Sequence, residues 1–126
     1  YYGVPTETPT SRPPATKSGQ APTAITLANI GLLITAVGHL YGPRPIWITE
    51  YGYQTNPPDR AFGVSWGKQA QYLTKAFSVA RGNSRIRLML WFLVRDEPNV
   101  AGWQSGLITV GGVRKPAFSA YQRLPH

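Results

Sequence analysis

The sequence predicts an α/β fold in which two parallel strands are flanked by helices. Three observations carry this. The run Ile46-Trp47-Ile48-Thr49 follows Pro45 and ends on Glu50-Tyr51-Gly52; Pro45 suits the first position of a strand because it has no N–H to donate, and the four residues after it are strong strand formers. A second run, Ile86 to Val94, is apolar on both faces except for Arg87, as a strand covered by helices should be. Between them Trp66, Ala70, Leu73, Phe77 and Ala80 recur at helical spacing. A helical crossover between two strands of one sheet makes them parallel close neighbours.

The elements follow in order. Residues 1–22 carry Pro5, Pro9, Pro13, Pro14 and Pro22 among threonines and serines, without apolar periodicity, and read as a Pro/Thr-rich loop. Two views of it stand open: a free tail, or a long loop over a cleft with Tyr1-Tyr2 as the last residues of a strand. From Ala21 to Gly42 no charged residue appears, yet three glycines and the polar Thr23, Thr26, Asn29, Thr35 and His39 make a poor membrane span. Leu27, Ile30, Ile34, Val37 and Tyr41 instead predict a helix with one buried face, capped by Thr23 and ended by Gly42-Pro43. His39 is a helix-end residue with no partner at metal-binding spacing.

The strand to Glu50 comes next, then a loop over Tyr51 to Ser65 marked by Asn56-Pro57-Pro58-Asp59. Ser65 caps the crossover helix and Gly82-Asn83 stops it. Asp96 and Glu97 close the second strand, so Glu50 and this acidic pair share the C-terminal end of two neighbouring strands. That is the end where parallel α/β folds gather their binding loops. A glycine-rich loop with Trp103 follows, and Pro116 takes the favoured first-turn position of a last short helix. Position alone leaves Glu50 open between a surface glutamate at a strand end and a group that does chemistry.

Composition narrows the function. The 126 residues contain no cysteine, which removes disulfides and thiolate chemistry and leaves the compartment undecided, secretion included. The formal charge is +8, but the thirteen Lys and Arg are scattered, with no run longer than Arg114-Lys115. A nucleic-acid binder would gather them in a stripe interleaved with aromatics, so that class is set aside. Tyr1 stands where a methionine would begin a natural chain and no signal peptide is visible, so the chain is expected to start internally.

Trp-Ile-Thr-Glu-Tyr-Gly, an amphipathic helix, Leu-Met-Leu-Trp-Phe, an acidic loop, Gly-Trp-Gln-Ser-Gly-Leu and Lys-Pro-Ala-Phe, in that order, resemble the C-terminal third of clan A glycoside hydrolases. These are retaining (β/α)8-barrel enzymes, and the likeness is to cellulase-like and family 39-like members. The resemblance implies that residues 23–126 are a partial barrel holding strands seven and eight, with Glu50 matching the catalytic nucleophile. Trp91, or the adjacent Phe92, matches the aromatic that floors the sugar subsite. Tyr51 or Tyr53 would hold Glu50 ionised, Trp103 would face a sugar ring, and Asp96 and Glu97 would bind hydroxyls or pair with an arginine such as Arg95.

The resemblance implies a carbohydrate substrate, no metal and no organic cofactor. It also implies a gap. The family's acid/base glutamate follows an asparagine, and no Asn-Glu pair occurs here. A barrel of about 250 residues has eight strands, so the chain is expected to need either the N-terminal barrel portion or self-association to cover its strand edges, and to be inactive alone. A non-catalytic carbohydrate-binding or self-associating fragment is the rival reading.

Overall fold

The computed structural model describes residues 2–3, 7–13 and 24–125. Its core is a parallel sheet of order β1-β2-β3, formed by Tyr2–Gly3, Ile46–Tyr53 and Ile86–Trp91. Helix α1 (Gly31–Tyr41) leads into β2, α2 (Trp66–Arg81) crosses from β2 to β3, and α3 (Pro116–Gln122) closes the chain. The α/β class read from the sequence is the observed one, with two long parallel strands and flanking helices.

The short β1 was one of the two views of the opening residues: Tyr2 pairs with Gly52 and Gly3 with Tyr53. Downstream, Thr8 to Ser11 form a turn closed by Ser11 N–H donating to the Thr8 carbonyl at 3.0 Å. The expected cap Thr23 lies outside the described residues. The described helical stretch opens instead on a 3-10 turn, Leu27–Asn29. There Asn29 Oδ1 accepts from Thr26 N–H at 2.6 Å while its Nδ2 donates to the Ala24 carbonyl at 3.0 Å. A short polar side chain bonding the local backbone in this way closes a tight turn in place of the first helical turn.

The expected buried face of α1 is only partly realised. Leu27 is buried and Ile30 and Ile34 pack against the core, but no residue of α1 is fully buried, and Leu40 and Tyr41 at its end are open to solvent. The reason is geometric: the 3-10 turn at its start packs on α2, and nothing among the described residues covers the rest of the helix.

Helix α2 behaves as predicted. Ser65 Oγ accepts from Lys68 N–H, and Leu73, Ala76 and Ala80 face inward, the burial of Leu73 alone being worth roughly 1.5 to 3 kcal/mol. Gln69 is buried on the same face. In α3, Ala117 and Ala120 turn inward and Tyr121 meets Phe77 of α2 edge to face at 5.6 Å. Strand β3 stops at Trp91 rather than continuing to Val94. The Leu93 and Val94 carbonyls accept from Leu107 and Ile108 N–H instead of extending the ladder to β2, so the returning loop captures the strand end.

Candidate active site

The β2–β3 register places Glu50. Ile48 pairs with Met89 and Tyr51 with Trp91, so β2 spends three steps where β3 spends two. The extra residue is a bulge, which breaks the in-out alternation and re-aims side chains. Its effect is visible: Thr49 and Glu50 are consecutive and both exposed, while Tyr51, Gly52 and Tyr53 are buried. Glu50 lies along a groove of about 450 Å³ between the start of the α1 segment and β2, lined by Leu27, Ile30, Leu33, Trp47 and Tyr51 among others.

Tyr51 and Tyr53, two residues apart, turn into the core. Their hydroxyls lie 3.3 Å from each other, and Tyr51 meets Trp91 edge to face at 6.2 Å. Burial pushes the Tyr53 hydroxyl up to about 12, aided by the nearby Tyr72 and Glu7 and opposed by the Tyr51 hydrogen bond. In the unfolded chain that proton leaves at the ordinary value of 10, so the folded state holds it longer and Tyr53 contributes stability below pH 10 that is lost as pH climbs to 12. Two pH units correspond to on the order of 3 kcal/mol. Chemical denaturation at pH 9.5 and 11.5 should therefore show a smaller alkaline loss for Tyr53→Phe than for the unsubstituted chain; equal losses would remove this role.

The aromatic residues divide by strand face. Trp91 is 9% exposed and its Nε1 donates to the Ser105 carbonyl at 2.9 Å, so it is a packing residue of the inner layer. Its neighbour Phe92, the adjacent possibility, is partly exposed and stands edge to face with Trp103 at 6.0 Å. Phe92 N–H donates to the Tyr51 carbonyl at 2.9 Å, and a Cβ on Gly52 would lie 2.5 Å from the Phe92 oxygen. Only glycine fits after Glu50-Tyr51 because the β3 end passes this close.

The acidic pair separates as well. Asp96 is buried, and its Oδ1 accepts from Lys115 Nζ and Gly106 N–H, both at 2.8 Å. The arginine partner considered for it is thus a lysine from the other end of the loop. Glu97 is half-buried: its Oε2 accepts from Trp103 N–H at 3.1 Å and its own N–H donates to the Trp103 carbonyl at 3.0 Å. Glu97 therefore closes the loop that presents Trp103.

Three polar residues unmarked by the sequence reading hold this end together. Gln69 Nε2 donates to the carbonyls of Tyr53, Ser105 and Gly106, tying α2 to the end of β2 and to the loop that follows β3. Gln104 Nε2 donates to the Glu97 and Asn99 carbonyls. Lys115 Nζ reaches Thr55 Oγ1 at 2.8 Å and the Gln104 carbonyl at 3.1 Å besides Asp96. A glutamine at an inward helix position was the one visible signal; nothing in the spacing marks Lys115. Among the described residues no three His, Cys, Asp or Glu side chains gather as a metal site, and no helix is long and apolar enough to cross a membrane.

The family described as glycosyl hydrolase catalytic core matches residues 26–121. Among solved structures, a β-glucuronidase from Bifidobacterium dentium complexed with coumarin-3-O-glucuronide aligns with a TM-score of 0.55 at 18% identity, over 78% of this chain and 18% of that one. A β-glucuronidase from Ruminococcus gnavus in complex with N1-substituted uronic isofagomine aligns with a TM-score of 0.48 at 22% identity, over 63% of this chain and 16% of that one. The chain thus spans less than one fifth of the length of either structure, and the Bifidobacterium likeness is one of fold. No curated protein matches.

Proposed function

Because the chain belongs to the glycosyl hydrolase catalytic core family, we propose that it supplies the nucleophile side of a retaining glycoside hydrolase, with Glu50 attacking the anomeric carbon of a carbohydrate substrate. The observation that carries this is the bulge in β2, which leaves Glu50 exposed immediately before the buried run Tyr51 to Tyr53. Phe92 just past β3 and Trp103 on the loop that follows offer partly exposed aromatic surface, suited to the apolar face of a sugar ring. Trp91, Tyr51 and Tyr53 then act from behind, by fixing the backbone that carries Glu50 and Phe92.

A retaining enzyme needs a second carboxyl group about 5 to 5.5 Å from the first, to protonate the leaving oxygen and later activate water. Asp96 is spent on Lys115 and Glu97 on the Trp103 loop, so the acid/base group comes from barrel strands outside this segment. The uncovered end of α1, the outer edge of β3 and the 66% exposed Trp47 support the same requirement for further structure, either the preceding barrel strands or a second copy. The rival reading, a non-catalytic carbohydrate-binding fragment that self-associates, draws on the same surfaces.

Native mass measurement followed by hydrolysis of a panel of aryl glycosides tests the proposal, on the chain itself and on the intact polypeptide that carries it. Hydrolysis by an assembly or by the intact polypeptide is expected. Absence of turnover on every glycoside, with Glu50 unchanged and the protein folded, would overturn the enzymatic reading and leave binding.

A further inference from the structure

Charge is divided between the two ends of the sheet. The five acidic residues, Glu7, Glu50, Asp59, Asp96 and Glu97, lie in the second half of β2 or in segments that follow a strand. The opposite end, where the chain enters β2 and β3, has none. It carries Arg44 before β2, Arg81 at the end of α2, Arg85 before β3 and Arg87 within it. These are neighbours in space. Arg85 donates from Nε at 3.0 Å and from Nη2 to the Arg44 carbonyl, and Arg44 Nε donates to the Tyr41 carbonyl at 3.1 Å. A cleft of about 310 Å³ runs between Pro43, Pro45, Ser84, Arg85 and Arg87. Arg87 also borders an adjoining cleft with Arg81.

The bland cause of such a cluster is the helix dipole, since α1 and α2 both end here. Each C-terminus carries roughly half a negative charge, about one in total, against four guanidinium groups. Among the described residues, the guanidinium groups on this face exceed that helix-end charge by roughly three. Guanidinium forks match planar carboxylates with paired hydrogen bonds, the proline walls and the Ser84 hydroxyl suit a sugar ring, and the Arg85–Arg87 cleft has no aromatic face on which a nucleobase would stack.

We propose that this face binds a carboxylate-bearing polysaccharide, with the acidic groups seated between Arg85 and Arg87. It lies at the end of the sheet opposite Glu50, so it holds a polymer without occupying the proposed active site. The choice of a glycan among polyanions rests on the proposed function; the binding itself does not require hydrolysis.

The test measures binding of the full chain to polygalacturonate, a neutral glucan, duplex DNA and anionic phosphatidylglycerol vesicles across a salt series. Polygalacturonate should bind at low salt, the neutral glucan should not, and Arg81→Gln/Arg87→Gln should weaken binding about tenfold with a shallower salt dependence. Arg87→Gln alone should give a smaller loss in the same direction. Lys68→Gln/Lys75→Gln removes the same charge from exposed positions on α2 and should change binding less than about twofold. Equal losses from the two double variants, Arg-independent binding, or tighter Arg-dependent binding to DNA or vesicles would each overturn the assignment. Glu50→Gln should leave binding unchanged, so failure of the hydrolytic reading is read separately.

Discussion

Lys115→Met lowers the stability of the fold by about 3 to 5 kcal/mol, the cost of leaving one member of a buried ion pair uncompensated. Lys115 is 1% exposed and its ammonium joins three stretches of chain: Thr55 after β2, Asp96 after β3, and Gln104 where the second loop returns. Methionine keeps the volume and loses all three bonds, with the Asp96 carboxylate still buried. A small domain has about 5 to 15 kcal/mol in hand, so the loss is large enough to read in a denaturation midpoint. The pair itself is not a net gain. Burial pushes the Lys115 ammonium below the ordinary lysine value of 10.5 and outweighs the pull of Asp96 in the other direction. The unfolded chain therefore keeps this proton to higher pH than the folded one, and stability from this group rises as pH climbs toward 10.5. Lys115→Met abolishes that rise. Lys115→Met/Asp96→Asn removes both charges, keeps an acceptor for Gly106 N–H, and should recover more than half of the loss. A single-variant loss below about 1 kcal/mol would mean that water reaches the site and the pair is ornamental.

This pair also marks where the sequence stops being readable. Periodicity gave α2, both long strands and their parallel order, because each depends on apolar spacing that one stretch of chain carries by itself. The cap at Ser65, the stop at Gly82 and Pro116 in the first turn of α3 are local chemistry and were equally legible. Lys115 and Asp96 lie nineteen residues apart, and no local rule pairs them; the sequence suggested Arg95 as the partner because it was adjacent. The site divides in the same way. Glu50 at a strand end was visible, but the bulge that turns it outward depends on the register against β3, a relation between two strands. The same register decides that Trp91 faces inward and Phe92 outward, a choice that strand alternation in one segment leaves open. The α1 start was misplaced for a local reason: Asn29 bonding back to Thr26 makes a 3-10 turn that apolar spacing alone does not reveal.

Glu50→Gln should have the largest effect on function. Under the proposed mechanism the substitution removes the attacking oxygen's charge while keeping the side chain's size and its place on the bulge. Loss of a covalent nucleophile lowers turnover by on the order of 10⁴ to 10⁶-fold. The measurement is kcat on an aryl glycoside with a good leaving group, using whichever assembly or intact polypeptide turns it over. Such a substrate needs little help from the acid/base group, so the rate reports on attack. Binding of the glycoside should persist, because Phe92 and Trp103 are untouched and a neutral amide still hydrogen-bonds. The stability of the fold should change by less than about 0.5 kcal/mol, since Glu50 is exposed. This combination separates the proposed role from its rival: a surface glutamate would leave kcat within a fewfold of its starting value. Added azide gives the second readout. If Glu50 is the nucleophile, Glu50→Ala opens room for the small anion to attack in its place, and a glycosyl azide of inverted configuration should form. Full activity in Glu50→Gln, or no azide product from an otherwise folded Glu50→Ala, would move the nucleophile elsewhere and leave the bulge a feature of packing.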